Sequence, residues 1–464
     1  MALIRKWFVP TDDIFADLKF HGNTTWSPGD LLWQGLCWSW SSARHVTDAF
    51  SEATEWCRTL CGSAPLSTYQ GFMGAATKWT ALLLDRIWPV LQQRMEEIGG
   101  TSWRIDGWVG IAFDGSRGAA PRTQRNEAAF CAARYGQGKT AKYRKKKSKG
   151  LRRRKNEKSK PQPPEPQVWI TLMWHMGLRL PWQWRLGPSN ASERQHVMDL
   201  LDGDFPRQTL FCGDAGFVGY PLWSKIRQRN QHFLVRVGAN VSLLTERVNY
   251  HTQKDGTVLC WPKDRQAHEP PLRLRLLQVT LGKTKVWLLT SVLDPAQLTA
   301  DQAVRFYQMR WGIEVEFRGL KQTLDRAKLR CRNDRRLLVE LHWSILAMAV
   351  AELFALKEQR GQRPAKASHG QPRGTGNPTQ RSLANTMRAL RHCLRNLDAV
   401  PQTGFDLTSQ LRRAVTDGYK RTAPKRARYR PPNPDKKPLG DPKLRPLSDI
   451  EKDKLSKMPA KTAA

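Results

Sequence analysis

The sequence predicts an α/β protein whose mixed core is preceded by a helical region and followed by a helical, basic one. Three observations point there. Up to about residue 100, apolar residues recur at helical spacing, as in HVTDAFSEATEWCRTL and KWTALLLDRIWPVLQQRMEEIG. From residue 105, short apolar runs that stop on turns alternate with helical pieces. After Leu356 the chain turns to Gly, Pro, Gln and Arg, a composition that builds little core.

The elements follow in order. The second N-terminal helix ends at Gly99 and Gly100. WVGIAFDGSR reads as a buried strand with Asp114 at the end of its apolar run, and VWITLMWHMG and LPWQWRLG are the next strands. RQTLFCGDAGF is a strand ending on Asp214; PLWSKIRQRN is helical and HFLVRVG is again a strand. VSLL, VLCW, LRLRLLQV and VWLLTSV form a β-rich insertion over 238–293. WSILAMAVAELFAL, at about fourteen residues with a Glu inside, is a core helix and too short to span a membrane. His342, beside it, reads as a packed core histidine. RSLANTMRALRHCLRNL is helical. The expected regions are a helical 1–104, a core over 105–345, a helical 346–415, and a basic, Pro-rich 416–464 without fixed structure.

Charge narrows the function. The 464 residues hold 77 Lys and Arg against 41 Asp and Glu, a net +36. Such an excess repels itself unless a polyanion relieves it, and nucleic acid is the usual one. An anionic membrane surface is the weaker alternative. From Lys139 to Lys160 there are thirteen Lys or Arg and one Glu. This block, beside a Pro-rich run, is expected as a mobile loop over 139–166, either a solubilising linker or a nucleic-acid contact. The N-terminus does not read as a secretory signal. Eight scattered cysteines suit reduced thiols and a cytoplasmic, nucleoid-associated location. Cys57 and Cys61 alone are close, a weak zinc signal without a second pair.

The segment LTADQAVRFYQMRWGIEVEFRGLKQTL carries the chemistry. Thr299 with Gln302 three residues on is a capping box, so a helix starts there. At about 100° per residue, Phe306, Met309, Ile313, Phe317, Leu320 and Leu324 share an apolar stripe. Tyr307, Arg310, Glu314 and Lys321 fall within about 60° beside it, on one edge of the docked helix. Gly312 suggests a close approach by another backbone. The pairs Arg310–Glu314 and Glu314–Arg318 would also suit an ordinary solvated helix.

The acids elsewhere change that reading. Asp114 and Asp214 each follow an apolar strand, and functional groups gather at the carboxyl ends of strands in open α/β sheets. With Glu314 they make three carboxylates, the donor set of Mg²⁺. Two such ions stabilise the attacking and leaving oxygens of a displacement at phosphorus. Tyr, Arg and Lys beside them suit phosphate contacts. Asp106, Asp202 and Asp204 do not end apolar runs and rank lower.

Tyr-x2-Arg-x3-Glu-x6-Lys resembles the YREK signature of the insertion-sequence-four family of DDE transposases. The extended form is matched by Tyr307, Arg310, Trp311, Ile313, Glu314, Phe317, Arg318, Leu320 and Lys321, with FDGS around Asp114 and GDAGF around Asp214. The resemblance covers about 105–345. It implies an RNase H-like core, with Asp114, Asp214 and Glu314 as catalytic ligands of two Mg²⁺ ions that Mn²⁺ can replace. It implies contacts of Tyr307, Arg310 and Lys321, with Arg318 beside them, to double-stranded DNA near the cut. It also implies cut-and-paste transposition through a DNA hairpin. Trp287 lies where a relative stacks a flipped base, and a core tryptophan is the alternative. Arg117, Arg122 and Arg125 are phosphate-contact candidates or surface arginines. Cutting two ends implies a homodimer on DNA. A structure-specific nuclease and a non-catalytic DNA-binding protein remain as alternatives. Residues 1–104 are the candidate for reading DNA ends, by elimination.

Overall fold

Capping explains where the first helices begin. Ser27 and Asp30 form a capping box with Pro28 at the first helical position, opening α1 (Pro28–Trp40). α2 (Val46–Cys61) stops at Gly62, whose φ of 76° suits glycine. α3 (Tyr69–Gly99) starts on a Thr68 cap and ends at Gly100. The structure is a computed structural model and describes residues 14–131, 165–246, 255–282, 284–360, 380–397, 406–416 and 439–457. Nearly all of the expected basic loop 139–166 lies outside them.

Then come β1 (Val109–Ala119), α4 (Gln124–Phe130), β2 (Gln167–His175), β3 (Leu180–Gly187), α5 (Glu193–Leu200), β4 (Thr209–Gly213), α6 (Tyr220–Gln228) and β5 (His232–Val237). The insertion supplies β6 (Ser242–Thr245), β7 (Asp255–Cys260), β8 (Leu272–Leu281) and β9 (Thr284–Thr290). α7 (Ala300–Met309), α8 (Gly312–Arg318) and a π-helical turn (Gly319–Thr323) lead to α9 (Asp334–Arg360). α10 (Leu383–Arg395), α11 (Leu407–Arg412), β10 (Lys443–Pro446) and α12 (Asp449–Ser456) complete the described chain.

The strands form one ten-stranded sheet in the order β10-β6-β7-β8-β9-β5-β4-β1-β2-β3. Its β3-β2-β1-β4-β5 part is the core of the sheet: β1 is antiparallel to β2 and parallel to β4, and β4 is parallel to β5. The protein is therefore mixed α/β, a large mixed sheet flanked by helices. The β-rich insertion is not a separate sheet. β9 pairs antiparallel with β5, so the insertion lengthens the core sheet by hydrogen bonding at its edge.

Tertiary packing overrides two expected borders. The helices of 1–104 share the core of the sheet region. Trp40 Nε1 donates to the Ala347 carbonyl at 2.9 Å, Trp343 Nε1 donates to Thr80 at 2.8 Å, and a Cβ on Gly35 would lie 2.5 Å from the Trp343 ring. The border at 345/346 falls inside α9, whose apolar residues hold both sides of it in one core. α9 is long and apolar enough to cross a membrane, but 89% of its most apolar window is buried in the protein.

The tail departs most from expectation. β10 pairs in parallel with edge strand β6, Lys443 opposite Ser242. Behind it, Ser448 and Glu451 form a capping box, and Glu451 accepts two 2.7 Å hydrogen bonds from Arg445. Leu447 joins Leu244, Leu259 and Trp261 in a small apolar cluster. An edge with unpaired backbone groups and a capped helix outweigh the basic, Pro-rich composition.

Candidate active site

Asp114 lies in the middle of β1 and not at its end. Val109–Phe113 are buried, but Gly115–Ala119 continue the strand because they still pair with β2, from Thr171 to Gln167. The apolar run ended where burial ended, and the hydrogen-bond ladder did not. β1 and β4 are parallel with Ala112 opposite Cys212. Two residues further on in both chains, Asp114 comes level with Asp214, which sits in the turn after β4.

Glu314 comes from the opposite direction in sequence. Thr299 and Gln302 make the expected capping box. The expected single helix from Thr299 to Leu324 is instead α7, α8 and the π turn. At the first break Trp311, Ile313 and Glu314 donate to carbonyls three residues back, a tighter winding than the α-helix. Gly312 sits there because a Cβ would lie 2.1 Å from Trp174 Cη2. The close neighbour is thus a side chain and not the backbone that the glycine suggested. Trp174 also donates to Glu316 at 3.3 Å, so one indole holds two successive positions of α8.

This seats the motif edge on β1. Arg310 Nη1 meets Asp114 Oδ2 at 3.2 Å, and Lys321 Nζ donates to Ser116 Oγ at 2.7 Å. Arg310 Cζ lies 5.5 Å from the centre of the Tyr307 ring. Asp114 Oδ1 accepts from the Gly115 N–H at 2.8 Å, and Asp214 Oδ1 accepts from Gly216 at 2.7 Å.

The carboxylates feel one another. Burial raises the pKa of Asp114 and Asp214 adds to it, while the Gly115 N–H and Arg310 pull it down. Burial and then Asp114 raise that of Glu314, with Asp214 contributing and Arg310 and Arg318 opposing. Among the described residues no three His, Cys, Asp or Glu side chains stand close enough to hold a metal ion. The Arg310 guanidinium meets one Asp114 oxygen. The donor chemistry still suits a hard divalent cation, since every group is a carboxylate oxygen. Arg310 is buried, and its Nε has no acceptor. A buried guanidinium donor beside carboxylates is a ready contact for a phosphate oxygen.

A fourth acid was missed. Glu193 opens α5, and burial followed by the charges of Asp114 and Asp214 push its pKa up to about 7. Its signal in the sequence was slight: an acid just after Ser192, a helix cap following β3.

The expected DNA contacts divide. Tyr307 and Arg310 are buried, held by each other and by Asp114, and Lys321 is half-buried on Ser116. Arg318 and Arg125 are exposed. Arg117 is exposed too, lying over Trp169 at 4.1 Å, and Arg122 pairs with Glu127 at 3.3 Å. Trp287 is half-buried at the same end of the sheet as Asp214, opposite Val237 of β5, and donates to Asp441 of the tail at 2.7 Å. His342 accepts from Trp184 at 2.9 Å, and burial lowers its pKa to about 4. It lines a cavity of about 740 Å³ between α3, β3 and α9 that contains none of the site acids. Asp106 and Asp202 pair with Arg305 and Lys225. None of the eight cysteines forms a disulfide.

Residues 172–350 match the family described as "Transposase DDE domain". The matched span contains Asp214 and Glu314 and begins after Asp114. No curated protein matches the chain. Among solved structures, the piggyBac transposase synaptic complex with hairpin DNA, determined by cryo-EM, is 12% identical. That similarity covers 91% of this chain and 84% of the other with a TM-score of 0.37, too low to carry an argument.

Proposed function

We propose that this chain is a DNA transposase of the YREK type that cuts transposon ends and joins them to target DNA. The observation that carries the reading is the docking of the motif edge on β1, through Arg310 on Asp114 and Lys321 on Ser116. It joins the motif segment to a strand far away in the chain, which a solvated amphipathic helix would not do.

In this reading Asp114, Asp214 and Glu314 hold two Mg²⁺ ions, which supply charge neutralisation and an activated water when bound. The protein's own groups do the rest. Arg310 leaves Asp114 and turns to the scissile phosphate, which also gives its Nε an acceptor. Lys321 stays at the rim as a second cation for the strand. Trp287 receives an extruded base once Asp441 releases it, which lowers the cost of a hairpin bend. Arg117, Arg122, Arg125, Arg318 and the basic block 139–160 track the DNA backbone, and residues 1–104 read the ends. A homodimer brings two ends together.

The test is incubation of the full chain with the DNA flanking its own coding region, with and without Mg²⁺. Metal-dependent nicks, hairpins and strand-transfer products are expected. Asp114→Asn, Asp214→Asn or Glu314→Gln should each abolish cleavage while leaving gel-shift binding intact. Cleavage without strand transfer would mark a structure-specific nuclease, and full cleavage by all three variants would overturn the site.

A further inference from the structure

The cavity between α3, β3 and α9 lies apart from the site acids, and its volume of about 740 Å³ is that of a small-molecule pocket. Its walls come from segments far apart in the chain. Helical spacing puts Leu84, Asp85 and Trp88 on one face of α3, and Val339 and His342 on one face of α9. β3 adds Trp184, and the turn after α5 adds Asp204.

The floor is aromatic. The Trp88 and Trp184 rings meet edge to face with their centroids 4.5 Å apart. Their N–H groups are bonded inside the protein, Trp88 to the Trp182 carbonyl and Trp184 to His342 Nδ1 at 2.9 Å. What they present to a ligand is ring surface. Burial keeps His342 neutral, so with Nδ1 accepting it carries its proton on Nε2 and brings no charge to the floor.

The open polar groups are mostly acceptors. Asp85 and Asp204 are exposed, and neither forms an ion pair among the described residues. Gln183 Oε1 is buried without a partner. Against these three stands one lining cation, Arg335. Such a set favours a group that only donates, and an ammonium has three N–H donors and no acceptor. In a chain of net charge +36, this acid-rich rim also disfavours a phosphate backbone, so nucleic acid is not the occupant.

We propose that this cavity binds a small organic amine, with its ammonium toward Asp85 and Asp204 and its apolar or aromatic body against Trp88 and Trp184. The site is independent of the transposase reading, since it shares no residue with the motif edge or with the acids near Asp114.

The test is calorimetry and thermal melting of the full chain with phenethylamine, with phenethyl alcohol and hydrocinnamate as the neutral and anionic counterparts. Phenethylamine should raise the melting temperature in a saturable way, and both counterparts should bind more weakly. Asp85→Asn and Asp204→Asn, at exposed positions, should each weaken the amine by about threefold and leave the alcohol unchanged. Ala81→Trp, also exposed, fills the cavity from α3 and should remove binding of the amine. Absent phenethylamine binding would overturn the proposal, as would equal or tighter binding of either counterpart. Wild-type amine affinity in Ala81→Trp, or in the variant lacking both aspartates, would place the amine elsewhere and overturn it too.

Discussion

Gly312 lies against the indole of Trp174 so closely that a Cβ would come within 2.1 Å of the ring. The ring cannot retreat freely, since it is buried and its N–H is held by Glu316. Gly312→Ala should therefore push α8 off β1, at a cost of about 1–3 kcal/mol. Cleavage should fall much further than stability, because Glu314 moves with the helix. Melting curves and single-turnover cleavage check this. Normal cleavage would show that the Trp174 contact does not set the position of Glu314.

Arg310 and Asp114 form a nearly buried pair at 3.2 Å. If Arg310 moves to the phosphate during cleavage, Arg310→Ala should slow single-turnover cleavage by about 10²–10³-fold. Arg310→Lys should rescue little, because a lysine lacks the planar fork. Equal rates for the Lys variant and wild type would reduce Arg310 to a counter-charge.

Glu340 is fully buried between Arg326 and Arg330 and accepts the N–H groups of Arg330 and Cys331 at 2.9 and 3.0 Å. Burial works to raise its pKa, but the two guanidinium groups and the two N–H groups hold it below 4.5. A carboxylate lowered on folding contributes stability above its unfolded value and loses it as pH falls through the folded value. Glu340→Gln should cost about 3–5 kcal/mol at neutral pH, since it leaves two buried cations underpaired. The difference from wild type should shrink below pH 4.5. Denaturant melts at neutral and acid pH measure it.

Glu316 gives the opposite sign. Burial and the neighbouring Glu352 hold the Glu316 carboxyl well above its usual range. A carboxylic acid raised on folding loses stability as pH climbs from its unfolded value towards its folded one. Glu316→Gln, which mimics the protonated acid, should raise the melting temperature at neutral pH by a few degrees, about 1 kcal/mol. It should change nothing at pH 4. A fall in melting temperature at both pH values would refute a protonated Glu316.

The tail makes a separate prediction. Removing residues 439–464 uncovers the edge of β6 and frees Trp287 from Asp441. The truncated chain should show altered Trp287 fluorescence, assigned with Trp287→Phe, and a greater tendency to associate through its open edge. Unchanged fluorescence would mean that the Asp441 contact does not hold Trp287.

How much was legible can be judged from particular residues. The Thr299–Gln302 cap follows from its three-residue spacing, and the strand before Asp214 from a short, wholly buried apolar run. Those are local rules, set by backbone geometry a few residues at a time. The Ser448–Glu451 cap was equally local and was overlooked behind the basic composition.

The amino-acid order alone thus determined which side chains stand on each helix edge and strand face. Only tertiary structure decided that Glu193 lies beside Gly115, that Trp174 wedges under Gly312, and that β10 closes on β6. Each joins segments far apart in the chain, where no local period operates. Such contacts are chosen by how faces bury together and by which backbone edges remain open, and both are properties of the assembled sheet.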